Sequence, residues 1–483
     1  MKKYKNNIIS FVLASILVIF IWHSFLVSGN NVTYIFLFAS CYLVIKHTLE
    51  SKTITKRKAI IVGFVAVLFT IIEIIGKSIN TDFTLDHILN KWLIVNFVGY
   101  FVMSGIVILW VYDIFENNRL QSENIKIFGK DLSNFKLLKN EKFLVIVTIV
   151  LIFLAYLPFF LRYYPGIVTS DSYSQIEQMI GILEPEDHHP ITHTAIIGIF
   201  ANIGLKMFNN INTGIALYSI FSMLMMATFA AFVLKYLRKK KVPAFVQLII
   251  LLFYMFYPVN GMYSITMWKD ILFSGIMPLF IIQNIELIFN TEEFLGKKRN
   301  MVAYVIIAIF TILLRHNGLY VVMLSLPFTF VVLRKHWKKV LIMFLSILVI
   351  YEAFNFVVFK ILKVKKGSVG EMLSVPIQQI VRSVKNNYED IDEETINKIN
   401  EYFTVENAWE YYNPVLSDPV KFKFNNGYFE ENKSEFISIW LKLFVKYPKD
   451  YIEAFISNSY GYYYPEARNS IVSRATMDHN MGI

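Results

Sequence analysis

Residues 142–175 read KFLVIVTIVLIFLAYLPFFLRYYPGIVTSDSYSQ. Between Phe143 and Leu161 there is no charge, which is enough chain for one helix to cross a hydrocarbon core of about 30 Å. Arg162 ends the run, and a polar segment rich in Tyr, Ser and Asp follows. Comparable apolar runs occupy about 8–27, 33–46, 59–76, 92–112, 191–207, 213–236, 243–258, 270–290, 301–314, 318–333 and 339–362. A helix satisfies its own backbone groups in lipid, so runs of this kind predict an all-α polytopic membrane protein with about 11–12 transmembrane or re-entrant helices.

Composition agrees. The 483 residues are 55% hydrophobic and 17% charged, with 43 Phe and 28 Tyr. The mean hydropathy is +0.49, whereas a soluble domain carries about a quarter of its residues as charges. The net charge of +11 sits in short Lys/Arg clusters between apolar runs, not on one basic face, so nucleic acid is excluded as a partner. Cys41 is the one cysteine and lies inside an apolar run, where it reads as a packed residue. Lys2, Lys3 and Lys5 precede a run too long for a signal-peptide core, so the N-terminus is expected in the cytoplasm.

The basic clusters lie around Lys46–Lys58, along 113–142, at Lys235 with Arg238–Lys241, at Lys297–Arg299, and at Arg334–Lys339. All five stay inside if 191–207 is re-entrant or surface-lying, the preferred reading; a full crossing there would put the later ones outside. Three polar stretches, 162–190, 258–270 and 315–318, then share the outer face. The expected division is 1–142 for N-terminal transmembrane helices and cytoplasmic loops, 143–362 for a membrane core with outer loop 162–190, and 363–483 for an extracytoplasmic C-terminal helical segment. In that segment Ile396, Ile399 and Phe403 share one helical face. Phe436, Trp440, Leu443 and Tyr447 share another, and Ile452 and Phe455 belong to a helix begun or broken at Pro448. The aromatic run Tyr460–Tyr464 suits a membrane interface.

The outer stretches hold the candidate chemistry. Asp171 is either a helix N-cap, a role Ser170 can also fill, or a general base. Glu184, Glu186 and Asp187 read as solvent-facing acids. His188, His189 and His193 offer proton transfer, phosphate contact or metal binding, with a structural role favoured for at least two of them. Lys269 either offsets a phosphate or forms an ion pair, and Asp270 can cap the next helix. Arg315 has the planar fork for a phosphate, unless it only belongs to a polar turn ended by Asn317-Gly318. Tyr173 is a further candidate for substrate contact.

The order of SDSYSQ and then DHHPITHT resembles the GT-C class of polytopic glycosyltransferases, such as protein O-mannosyltransferases and aminoarabinose transferases. SDSYSQ, HHPITHT, MWKD, RHNGLY and SVPIQQIVR together resemble, more closely, an uncharacterised family of multi-spanning membrane proteins from Gram-positive bacteria, from about Tyr163 onward. The GT-C resemblance implies a GT-C-like core in a bacterial cytoplasmic membrane and a polyprenyl-phosphate-linked sugar as donor. It implies an acidic residue, at Asp171, as base or metal ligand, and basic residues on the donor phosphate. The cofactor is unknown, with a divalent cation left open. GT-C members often carry two acidic residues in a row where this chain has one.

The function expected on these grounds is transfer of the sugar to a cell-envelope polymer on the outer face. Asp171 and His189 are the catalytic candidates, and His188, Tyr173, Lys269 and Arg315 bind substrate. The alternative is a transporter, flippase or polymerase of envelope polysaccharide, for which Glu73, Glu286 and Glu352 would be intramembrane pathway residues. A third possibility is an assembly or sensor protein without catalysis.

Overall fold

The computed structural model describes residues 2–25, 31–50, 54–116, 126–127, 130–131, 140–403 and 408–467. Apart from a pair of two-residue strands, Lys126–Ile127 and Lys130–Asp131, its regular elements are helices. Each apolar run of the sequence is one of them. Among the described residues nine helices are long and apolar enough to cross a membrane. Ala244–Phe256 and Pro258–Ser264, bent by 54° at Tyr257, make up a tenth candidate. This is a multi-pass membrane protein. Ile191–Phe208, which the charge pattern assigns to a re-entrant or surface-lying position, is an unbroken helix of 18 residues whose length and composition alone make it one of these candidates. The sharp bend between Ala244–Phe256 and Pro258–Ser264 falls before Pro258, which cannot donate to the preceding turn.

The chain divides into two compact units, Met1–Asn118 with Ser368–Val472, and Arg119–Gly367 with Ser473–Ile483. The C-terminal segment thus shares a compact unit with the N-terminal helices.

In the first unit, Lys2–Phe25, Asn31–Glu50, Lys56–Asp82 and Leu93–Glu116 are the long apolar helices. The C-terminal part builds a core of its own from Ile377, Ile380, Val384, Ile399, Tyr402, Phe436, Leu443 and Tyr451. Glu393–Tyr402 starts where the Asp392 carboxylate accepts from the Thr395 amide, and it buries Ile396 and Ile399 as the spacing predicts. Lys433–Lys446 likewise buries Phe436 and Leu443. Pro448–Ser459 leaves Ile452 and Phe455 exposed and turns Tyr451, Glu453 and Ala454 inward. The reason is Arg382. Its buried guanidinium needs a counter-charge, and Glu453 Oε2 provides it at 2.5 Å. Arg382 also donates to the Phe83 carbonyl at 2.9 Å, and Glu453 accepts the Leu85 amide at 2.8 Å, so the loop after Lys56–Asp82 is tied to the C-terminal helices. Of the run Tyr460–Tyr464, Tyr460 and Tyr464 are buried against Lys56–Asp82, while Tyr462 and Tyr463 are exposed. A Cβ on Gly76 would come within 2.2 Å of the Tyr464 ring.

The second unit is organised around Ile211–Lys239, which touches Glu141–Arg162, Ile191–Phe208, Ala244–Phe256 and Lys269–Phe289. Its sequence permits this. Gly214, Ala216, Ser219, Ser222, Ala227, Ala230 and Ala231 are all buried, and small residues let helix backbones approach in the absence of a hydrophobic driving force. At the tightest crossing, a Cβ on Gly204 would sit 2.4 Å from the Gly214 amide nitrogen.

Candidate functional site

Two irregular segments are fastened together before any functional side chain appears. Gly166, at φ +137°, turns the chain after Pro165, where a Cβ would strike the Ser219 hydroxyl. Ile167 then pairs with the segment before Lys269: its amide donates to the Ile265 carbonyl at 2.9 Å, and its carbonyl accepts from the Met267 amide at 2.8 Å. The buried Ser172 hydroxyl donates to the Met267 carbonyl as well. The helix Ser170–Met179 and the start of Lys269–Phe289 are therefore held in register, which brings Asp171 and Lys269 together although they lie far apart in sequence.

The N-cap of Ser170–Met179 is Thr169, whose hydroxyl accepts from the Ser172 amide. Neither Ser170 nor Asp171 is the cap. Asp171 occupies the first turn, where the helix favours a negative charge, and its side chain is directed to other partners. Lys269 Nζ lies 3.4 Å from Asp171 Oδ2 and 3.0 Å from His189 Nδ1. An ammonium can only donate, so His189 accepts through Nδ1 and carries its proton on Nε2. Burial, together with the neighbouring Lys269 charge, pushes the His189 pKa down to about 4. At neutral pH it is an uncharged acceptor that orients Lys269. For Asp171, partial burial acts to raise the pKa, and the neighbouring charged partners outweigh it, leaving the carboxyl below its ordinary value. With His189 neutral, Lys269 is the partner that keeps Asp171 ionised.

The third stretch joins the same cluster. Arg315 forms an ion pair with Asp270 and lies over the Phe273 ring, 5.6 Å from its centroid. Asp270 thus pairs across helices, and Lys269–Phe289 has no side-chain cap. His316 Nε2 donates to the Asp187 carbonyl at 3.1 Å. Asp187 does not simply face solvent: its carboxylate accepts the Ile191 amide at 3.2 Å, which anchors the helix that follows His189. Burial raises the Asp187 pKa against the opposing pull of His316. Glu184 does face solvent, paired with Lys365.

Of the remaining candidates, His188 is half-buried and packs edge-on against His189, with ring centroids 4.4 Å apart. Tyr173 is half-buried on the second turn of the Asp171 helix. His193 is buried within a polar network, its Nδ1 3.2 Å from Gln175 Oε1 and its Nε2 2.8 Å from the Tyr218 hydroxyl. That is a structural role. Gln175 and Tyr218 escape a motif search because neither is a chemical group of note until its partner is known. Trp268, whose side chain also helps hold the Asp171 carboxylate, hides in an interfacial-looking aromatic context.

A metal does not fit this arrangement. Among the described residues no three His, Cys, Asp or Glu side chains gather as a metal ion requires. The Lys269 ammonium fills the position between His189 and Asp171 that a cation would take.

A family model matches residues 185–473, more than half of the chain, and is described as a family of unknown function (DUF6020). The chain belongs to this family. The DUF6020 match takes in His188, His189, Lys269, Asp270, Arg315 and His316, whereas Asp171 lies before its first residue. No curated protein and no solved structure matches the chain.

Proposed function

We propose that this DUF6020 member is an integral membrane glycosyltransferase with a GT-C-like core, which moves a sugar from a polyprenyl-phosphate donor to a cell-envelope acceptor. The reaction takes place on the outer face of a bacterial cytoplasmic membrane. The observation that carries the proposal is the convergence of three polar stretches on one cluster, in which a carboxylate and two basic groups lie where apolar helices end. Asp171 is the base: it takes the proton from the acceptor hydroxyl as that oxygen attacks the anomeric carbon. The carbon–oxygen bond to phosphate breaks with inversion, and the polyprenyl phosphate leaves with the electron pair. Lys269 and Arg315 neutralise it. His189 acts through Lys269.

The resting ion pairs give this scheme an order. Lys269 and Arg315 are engaged with Asp171 and Asp270 before a donor arrives. A donor phosphate competes for both cations, and the loss of Lys269 raises the basicity of Asp171 when it is needed. The transporter alternative is less supported by the intramembrane acids it would use. Glu286 is bound by Lys239 at 2.8 Å and Lys240 at 2.5 Å, at the end of its helix, which is an interfacial ion pair.

The test uses the full chain in nanodiscs, with candidate polyprenyl-phosphate sugars and an envelope-polymer extract, followed for release of the lipid phosphate. Wild type is expected to release it and Asp171→Asn to be slower by roughly 10²- to 10⁴-fold. Donor binding without turnover in both proteins would favour the transporter.

A further inference from the structure

A second polar cavity lies wholly within the unit that contains the N-terminal helices and takes no part in the chemistry above. It encloses about 220 Å³ where Lys2–Phe25 and Lys56–Asp82 end and Leu93–Glu116 begins. His23, Lys77, His87, Asn90, Trp92 and Asn96 line it, and no carboxylate is among its described lining residues.

The polar groups are arranged as donors. Asn96 accepts the Ser24 hydroxyl through Oδ1 at 3.3 Å and its side chain also interacts with His23, so its amide hydrogens are what it offers an occupant. His87 is oriented by Asp82, 2.8 Å from its Nε2. The nearby acids are committed elsewhere: Asp82 to His87 and Thr84, and Asp86 to Lys449 at 2.6 Å. Glu73, one turn before Lys77 on the same helix, is the one acid not so committed, and its charge interacts with that of Lys77. His23 stacks on the Trp92 indole with centroids 4.4 Å apart, and its buried Nδ1 meets no hydrogen-bond partner among the described residues. A buried polar atom without a partner calls for a missing one. Trp22, half-exposed beside Trp92, marks this end of the helices as a membrane–water interface.

We propose that this cavity binds a phosphate group, with the headgroup of an anionic membrane lipid as its source. Lys77 supplies the charge, His23 and Asn96 supply hydrogen bonds, and the apolar helix faces beside Trp22 receive the chains.

Native mass spectrometry of the full-length protein, titrated with phosphatidic acid or with diacylglycerol of the same chains, tests this. Phosphatidic acid should be retained by wild type and diacylglycerol should not. Retention should fall roughly tenfold in Lys77→Gln and in His23→Gln, and persist in Lys77→Arg. Each variant is checked for unchanged melting temperature, and the two positions provide independent readings if one variant fails to fold. Inorganic phosphate is the competitor. If it binds as tightly as phosphatidic acid, the phosphate site stands and its source is the free anion. Equal retention of both lipids, or unchanged retention in both variants, overturns the proposal.

Discussion

The His193 Nε2 atom lies 2.8 Å from the Tyr218 hydroxyl oxygen, and neither side chain reaches solvent. Gln175 Oε1 faces the other ring nitrogen, so both are engaged and the imidazole is a neutral strut between Ser170–Met179, Ile191–Phe208 and Ile211–Lys239. Tyr218→Phe leaves one buried nitrogen unpaired and should cost about 1–3 kcal/mol. His193→Ala adds a cavity and should cost about 2–5 kcal/mol. Thermal melts in detergent measure both, and His189→Gln, whose replacement can still accept from Lys269, should melt close to wild type at pH 7.5.

His189 and Asp171 both link stability to pH in the same direction. The unfolded imidazole protonates near its ordinary value of about 6.5, whereas the folded one resists until about 4. Between those values the unfolded state holds more protons, so stability falls as pH falls. The lowered Asp171 adds a further loss as pH drops through the carboxylate range. Melting temperature should therefore decline from pH 6.5 towards 4, and His189→Gln should flatten that decline, by an amount on the order of 1–3 kcal/mol. An unchanged slope in the variant would remove His189 as its source.

In the other unit the buried pair of Arg382 and Glu453 is the critical contact. Glu453→Ala leaves a guanidinium that is 6% exposed with only the more distant Asp450 carboxylate, 3.8 Å away, and should destabilise the protein by about 3 kcal/mol. Asp86→Asn breaks an exposed pair with Lys449 and should cost no more than about 1 kcal/mol. Urea titration of the full chain separates the two.

The helices were legible in the sequence because lipid solvation writes them as uninterrupted apolar runs. Even the short runs at 301–314 and 318–333 are helices, Lys298–Leu314 and Asn317–Val332. The three polar stretches were also legible, since Asp171, Lys269 and Arg315 interrupt or border runs that otherwise carry no charge. Their partners were not. That Lys269 would meet Asp171 depends on register fixed by Ile167, Ser172 and Met267, three residues with no chemical signature. The cap at Thr169 was missed for a similar reason: Ser170 and Asp171 are equally good caps, and a shift of one residue decides the matter. The inward face of Pro448–Ser459 is not legible from hydrophobicity, because Glu453 turns inward to the buried Arg382 while Ile452 and Phe455 stay exposed.

The division of labour between Lys269 and Asp171 is the centre of the account, and one paired measurement addresses it. Binding of a polyprenyl-phosphate sugar and release of lipid phosphate would be measured side by side for wild type, Lys269→Gln and Asp171→Asn in nanodiscs. Lys269→Gln should weaken donor binding roughly tenfold or more, whereas Asp171→Asn should bind donor at least as well as wild type, because Lys269 is released to it, and fail to turn over. Asp171→Asn that turns over at the wild-type rate, or that loses donor binding as Lys269→Gln does, would contradict the assignment of Asp171 as the base.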